Sequence, residues 1–90
     1  MNDYERLLKR KLQDPEFKAL WDASEAEYTM ISALIKARNE AGLTQQQLST
    51  EVGFSQSILS RIENGKANPS LKTLDRLAKG MGKKLVIGFM

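Results

Sequence analysis

The 90-residue chain contains no cysteine and no histidine. The first absence removes disulfide staples, thiolate nucleophiles and soft metal ligands, and the second removes the commonest general base and metal ligand. Only carboxylates remain for acid–base work, and none has a visible partner for it. The sequence therefore offers no catalytic constellation, no metal site and no call for a cofactor, and it is read as a protein that is not an enzyme.

Long apolar runs are missing too. Nothing approaches the roughly 20 apolar residues that a membrane span needs, and residues 1–11 are charged where a secretory signal would turn apolar. The expectation is a cytoplasmic protein with no membrane partner. Ninety residues at 41% hydrophobic content suffice for one compact core and not for two.

What charge there is lies unevenly. The net charge is only +3, yet residues 1–13 carry +2, residues 14–28 carry −4 and residues 29–90 carry +5. A basic carboxy-terminal two-thirds suits a polyanion, because each cation placed on a phosphate releases condensed counterions. The acidic stretch requires a different partner. This division suggests an amino-terminal helical extension over 1–28, a domain over 29–82 and a terminal strand over 83–90.

Helix signals are clear along most of the chain. Asp14-Pro15-Glu16 combines a capping side chain, a proline at the first helical position and an acid facing the helix dipole. Phe17, Leu20, Trp21, Ser24 and Tyr28 follow at spacings of three and four, which predicts one helix with an aromatic stripe. Residues 4–12 predict a helical turn or two. Met30, Ile31, Leu34, Ile35 and Ala41 form the next apolar face, closed by Gly42. Thr44 with Gln47 matches a capping box and opens a short helix carrying Leu48 and Val52. Gly53 interrupts it, and Ser55 caps a helix with Ile58, Leu59 and Ile62 inward. After a polar loop, Ser70 caps a last helix with Leu71, Leu74, Leu77, Ala78 and Met81 inward, which Gly80 and Gly82 end.

The final residues are β-prone and too few for a helix. A strand cannot stand alone, and the chain offers no second candidate, so the expected partner of Leu85, Val86, Ile87 and Phe89 is the same strand of a second copy. This predicts a homodimer.

Two capped helices separated by a glycine-containing turn have the geometry that braces one helix across a DNA backbone while the next enters the major groove. In its residues, Leu43-Thr44-Gln45-Gln46-Gln47-Leu48, Gly53-Phe54-Ser55-Gln56-Ser57 and Ser60-Arg61-Ile62-Glu63-Asn64-Gly65-Lys66, followed by Pro69-Ser70-Leu71, the sequence resembles the Xre/Cro family of helix-turn-helix repressors over about residues 30–82. The layout of extension, domain and terminal strand also resembles HigA-type antitoxins of type II toxin–antitoxin pairs. The fold class implied is all-α: a five-helix, lambda-repressor-like helix-turn-helix bundle with an amino-terminal helical extension and a short carboxy-terminal β-strand for dimerisation.

The Xre/Cro resemblance implies that Gln45 bonds a phosphate of a double-stranded DNA operator and that Gln56, Ser57 and Arg61 face base edges. The side-chain chemistry agrees, since glutamine reads adenine bidentately and arginine reads guanine. Ser55, Ser60, Asn64, Lys66 and Asn68 supply donors suited to phosphate oxygens, although Ser55 serves equally as a plain helix cap. Arg38 and Glu63 occupy positions that in this family resemble a partly buried ion pair, which assigns Glu63 to structure.

An antitoxin of this kind represses its own operon and neutralises a small basic toxin, commonly a ribonuclease similar to RelE. The acidic segment with Phe17, Trp21 and Tyr28 is a surface for such a partner, and the same aromatics equally suit core packing. Competing readings are a stand-alone Xre-family repressor and a protein-interaction module that has lost DNA binding. The intact donors Gln56, Ser57, Arg61 and Lys66 speak against the last.

Overall fold

The computed structural model describes residues 3–90, apart from the side chains of Tyr4, Leu20, Trp21 and Ala23. Six helices follow one another: α1 (Asp3–Lys11), α2 (Pro15–Ala23), α3 (Glu25–Glu40), α4 (Gln45–Val52), α5 (Gln56–Glu63) and α6 (Leu71–Gly80). No helix among the described residues is long and apolar enough to cross a membrane.

The amino-terminal part is more helical than its sequence suggests. Where one or two turns are expected, α1 runs for nine residues, with Asp3 and Glu5 in its first turn and Lys9, Arg10 and Lys11 in its last, the arrangement the helix dipole favours. The single helix expected from Pro15 through Tyr28 is instead two. Ser24 leaves helical geometry (φ −130°, ψ 37°) and stands before α3, whose first turn holds Glu25 and Glu27. The Ser24 side chain makes no cap bond, so the feature that favours a start here is the pair of acids in the first turn, placed at the positive end of the α3 dipole. Phe17 and Tyr28 therefore sit on different helices and face each other, with ring centroids 5.6 Å apart and planes tilted by 58°. Both α1 and α2 pack on α3, which runs unbroken through residues 28 and 29.

Helices α3 to α6 enclose the core of Leu34, Leu48, Val52, Leu59, Ile62 and Leu77, with Met30, Leu43, Phe54, Ala67 and Met81 packed against it. Two residues expected inward are exposed, Ile58 and Leu71. Ile58 lies about a quarter turn from the centre of the Leu59, Ile62, Glu63 stripe, and Leu71 is the opening residue of α6, beyond the reach of the core.

Gly80 is a packing residue rather than a stop. A Cβ there would overlap Val52 Cγ1 and come within 3.2 Å of Leu48 Cδ1, so α6 crosses α4 at a distance only glycine permits. The stop is Gly82, at φ +70°. Its N–H donates to the Lys79 carbonyl at 3.0 Å and that of Lys83 to Ala78 at 2.8 Å, the paired bonds of a Schellman cap.

The expected carboxy-terminal strand is absent: residues 83–90 form neither helix nor strand, and no strand occurs among the described residues. A β-strand exists only through ladder bonds to a neighbour, and one copy of the chain supplies none. The tail is anchored at its base, where Lys83 Nζ meets Glu40 Oε1 at 3.2 Å. Beyond it, Val86, Ile87, Phe89 and Met90 are exposed.

Candidate nucleic-acid interface

The α4–turn–α5 unit is fixed by its own caps. Gln47 N–H donates to Thr44 Oγ1 at 3.1 Å, and Thr44 N–H donates to Gln47 Oε1 at 2.8 Å, which completes the capping box. At the other end Gly53 takes φ +80°, which a β-carbon disfavours, and Phe54 N–H donates to the Ser49 carbonyl at 2.8 Å. Ser55 then caps α5, its Oγ accepting from Ile58 N–H at 3.4 Å.

The turn is also clamped from α6. The Arg76 guanidinium lies 4.4 Å from the centroid of the Phe54 ring and donates to the Val52 carbonyl. Phe54 is half-buried against the core. Arg76 carries no signal in the sequence, since it reads as one more solvated cation on the polar side of α6.

Behind α5 lies a buried polar cluster. Arg38 meets Glu63 through two bonds, Nε to Oε2 at 2.9 Å and Nη2 to Oε1 at 3.0 Å, and its Nη1 donates to the Leu43 carbonyl at 2.9 Å. The side chains are 13% and 4% exposed, and no buried side-chain nitrogen or oxygen among the described residues lacks a partner. One arginine thus joins α3, the α3–α4 connection and α5. Gln45 enters the same cluster, with Nε2 donating to Glu63 Oε1 at 3.1 Å. That bond orients the amide and leaves its second N–H for another acceptor.

The outward face of this unit gathers the residues that the sequence singles out. Gln56, Ser57 and Arg61 are exposed on α5, with Ser57 Oγ 3.1 Å from Ser55 Oγ. Asn64 at the end of α5 is exposed and donates from Nδ2 to Ser60 Oγ at 3.2 Å. Lys66 and Asn68 are exposed on the loop that follows, while Ser60 is half-buried. The arrangement is a rigid helix that presents two amides, hydroxyls and a guanidinium outward, with no acid among its exposed residues.

Other expected site residues lie elsewhere. Phe17 and Tyr28 are half-buried in the packing of α2 on α3, with Lys11 Nζ 5.8 Å from the Phe17 ring centroid; the Trp21 side chain falls outside the described residues. Leu85, Val86, Ile87 and Phe89 are together on the tail, on the α3–α6 side of the molecule.

A helix-turn-helix family model, HTH_3, matches residues 34–87. An HTH-type transcriptional regulator of Haemophilus influenzae is 41% identical over 64 residues, covering 71% of this chain and 65% of the relative. Antitoxin HigA1 of Mycobacterium tuberculosis is 31% identical over 72 residues, covering 80% of this chain and 48% of the relative. The ImmF control region 10 kDa protein of Bacillus phage phi105 is 47% identical over 49 residues, covering 53% and 54%. The chain spans less than two thirds of the length of each of these relatives. No solved structure matches it.

Proposed function

The chain belongs to the Xre-type helix-turn-helix family of transcriptional regulators, and from that premise we propose that it binds a DNA operator as a homodimer, with α5 in the major groove. The observation that carries this reading is the capped, clamped α5 with Gln56, Ser57 and Arg61 outward. Gln56, Ser57 and Arg61 read base edges; Gln45, Ser55, Ser60, Asn64, Lys66 and Asn68 hold phosphates, and two copies set two recognition helices about one helical turn apart. Titration of the protein with a duplex from its own upstream region and with a random duplex tests this. Tighter binding to the former supports it, and equal binding defeats it.

The finer reading is an antitoxin that represses its own operon and neutralises a RelE-like ribonuclease by direct contact. Its support is the HigA1 relative, whose similarity spans 72 residues and so exceeds the 54 of the helix-turn-helix match, together with the charge of −4 on residues 14–28, which suits a basic partner. Pull-down of the full chain from its native cytosol decides the matter. A small basic protein that co-purifies, and is lost when exposed Glu16 and Asp22 are changed to lysine, supports the antitoxin. Operator DNA with no protein partner supports a stand-alone repressor, a reading compatible with the Haemophilus relative, which is described as an HTH-type transcriptional regulator.

A further inference from the structure

Between α1 and the helix-turn-helix body lies a cleft of about 470 Å³, a size that suits a small molecule. Its walls are apolar: Leu7 and Leu8 of α1, Phe17 of α2, and Ile31 and Ile35 of α3. Leu7 lines the cleft and is still 47% exposed, so the two walls do not close on each other. The cleft is elongated, for it reaches from Tyr28 to Asn39, a stretch of α3 about 16 Å long. Polar groups stand around this apolar middle. Lys11 Nζ lies 5.8 Å from the Phe17 ring centroid and forms no ion pair among the described residues. Asn39, Gln45 and Asn64 line the cleft as well, and Gln45 keeps one amide N–H that Glu63 does not take. Two acids border it. Glu63 is spent on Arg38, and Asp3 stands at the far end of α1 from Lys11, about 12 Å along the helix, so neither neutralises the ammonium.

We propose that this cleft binds a small, extended apolar carboxylate, of the class of a medium-chain fatty acid, with its carboxylate on Lys11 and its chain along Leu7, Leu8, Ile31 and Ile35. An elongated apolar cavity with one cation free of a carboxylate selects such a ligand. Burial of the chain supplies the affinity, and the ammonium favours an anionic head over a neutral or cationic one. Occupancy has a consequence for DNA, because Gln45 and Asn64 line the cleft and are also proposed phosphate contacts. A bound molecule beside Gln45 competes with a backbone phosphate for the free N–H, so the filled cleft weakens operator binding, and by linkage the operator weakens the ligand by the same factor. This coupling rests on the DNA-binding reading above, whereas the site itself does not.

Isothermal titration of the full chain with decanoate, in the absence of DNA, reads the site alone. One-to-one binding is expected. Acetate, which has the head without the chain, should give no binding heat, and decylammonium, of equal length and opposite charge, should bind more weakly by roughly 10-fold or more. Lys11→Glu should weaken decanoate by roughly 10-fold or more, and Leu7→Trp, which fills the cleft, should abolish its binding. Both positions are exposed, and thermal melts monitored by circular dichroism verify that both variants fold. No heat from decanoate, equal binding of decylammonium, or unchanged binding by either folded variant overturns the site. Fluorescence anisotropy of the upstream duplex with and without decanoate then reads the coupling. The operator dissociation constant should rise about 5-fold or more for the parent and stay unchanged for Lys11→Glu. Decanoate that binds without moving operator affinity overturns the coupling and spares the site, and a chain that binds decanoate but does not distinguish the upstream duplex from a random one defeats the DNA reading and leaves the site standing.

Discussion

Arg76 stacks on Phe54 at 4.4 Å from the ring centroid and bonds the Val52 carbonyl at the end of α4. The contact joins α6 to the turn that aims α5, and a cation is placed where the dipole of α4 is negative. Arg76→Ala removes a cation–π contact and a charge-assisted bond together, and is expected to cost about 1–3 kcal/mol in urea unfolding. Arg76→Lys keeps the charge but loses the planar stack, so it should fall between the two. A loss below about 0.3 kcal/mol for Arg76→Ala would place the contact among surface pairs of no consequence.

Arg38 and Glu63 give a sharper stability test, because the pair is buried and doubly bonded. Glu63→Ala strands a guanidinium and also frees Gln45, so about 3–5 kcal/mol should be lost. Replacing both partners with apolar residues, Arg38→Met with Glu63→Leu, should recover a large part of that loss, since no charge is then left unpaired. Two single variants that each unfold as easily as the double variant would show that the cost comes from packing rather than from the unpaired charge.

Gly80→Ala tests whether geometry overrides propensity. Alanine is the better helix former by about 1 kcal/mol, so an open helical glycine would gain from the change. Here the added methyl meets Val52 and Leu48, and overpacking should reverse the sign, with a net loss of about 1–3 kcal/mol by thermal or chemical denaturation.

Caps and periodicity made most of this fold legible. Thr44, Ser55 and Ser70 each open a helix as their residue types predict, because the cap is a bond within three residues. The break at Ser24 was hidden, since the spacing from Phe17 to Tyr28 fits one continuous stripe and only the competition between two helix starts distinguishes the cases. Arg76 and Gly80 were invisible for another reason. Their roles depend on a residue more than twenty positions away, and neither leaves a local pattern. The tail departs from its β-prone sequence because β-propensity describes what a segment can pair with, and one copy of the chain offers residues 83–90 no strand to pair with.

The exposed face of α5 carries the functional prediction. Gln56→Ala should reduce discrimination at one base pair by about 1–3 kcal/mol, while affinity for random duplex stays nearly unchanged. Lys66→Ala should weaken specific and random duplexes alike and lower the slope of log affinity against log salt by about one. The contrast matters more than either value, because a side chain that reads a base and one that holds a phosphate differ only in whether sequence alters the loss. Measuring both variants by fluorescence anisotropy on both duplexes over a range of salt separates them. Equal losses on the two duplexes for Gln56→Ala would remove Gln56 from the base-reading set and leave Ser57 and Arg61 to carry it.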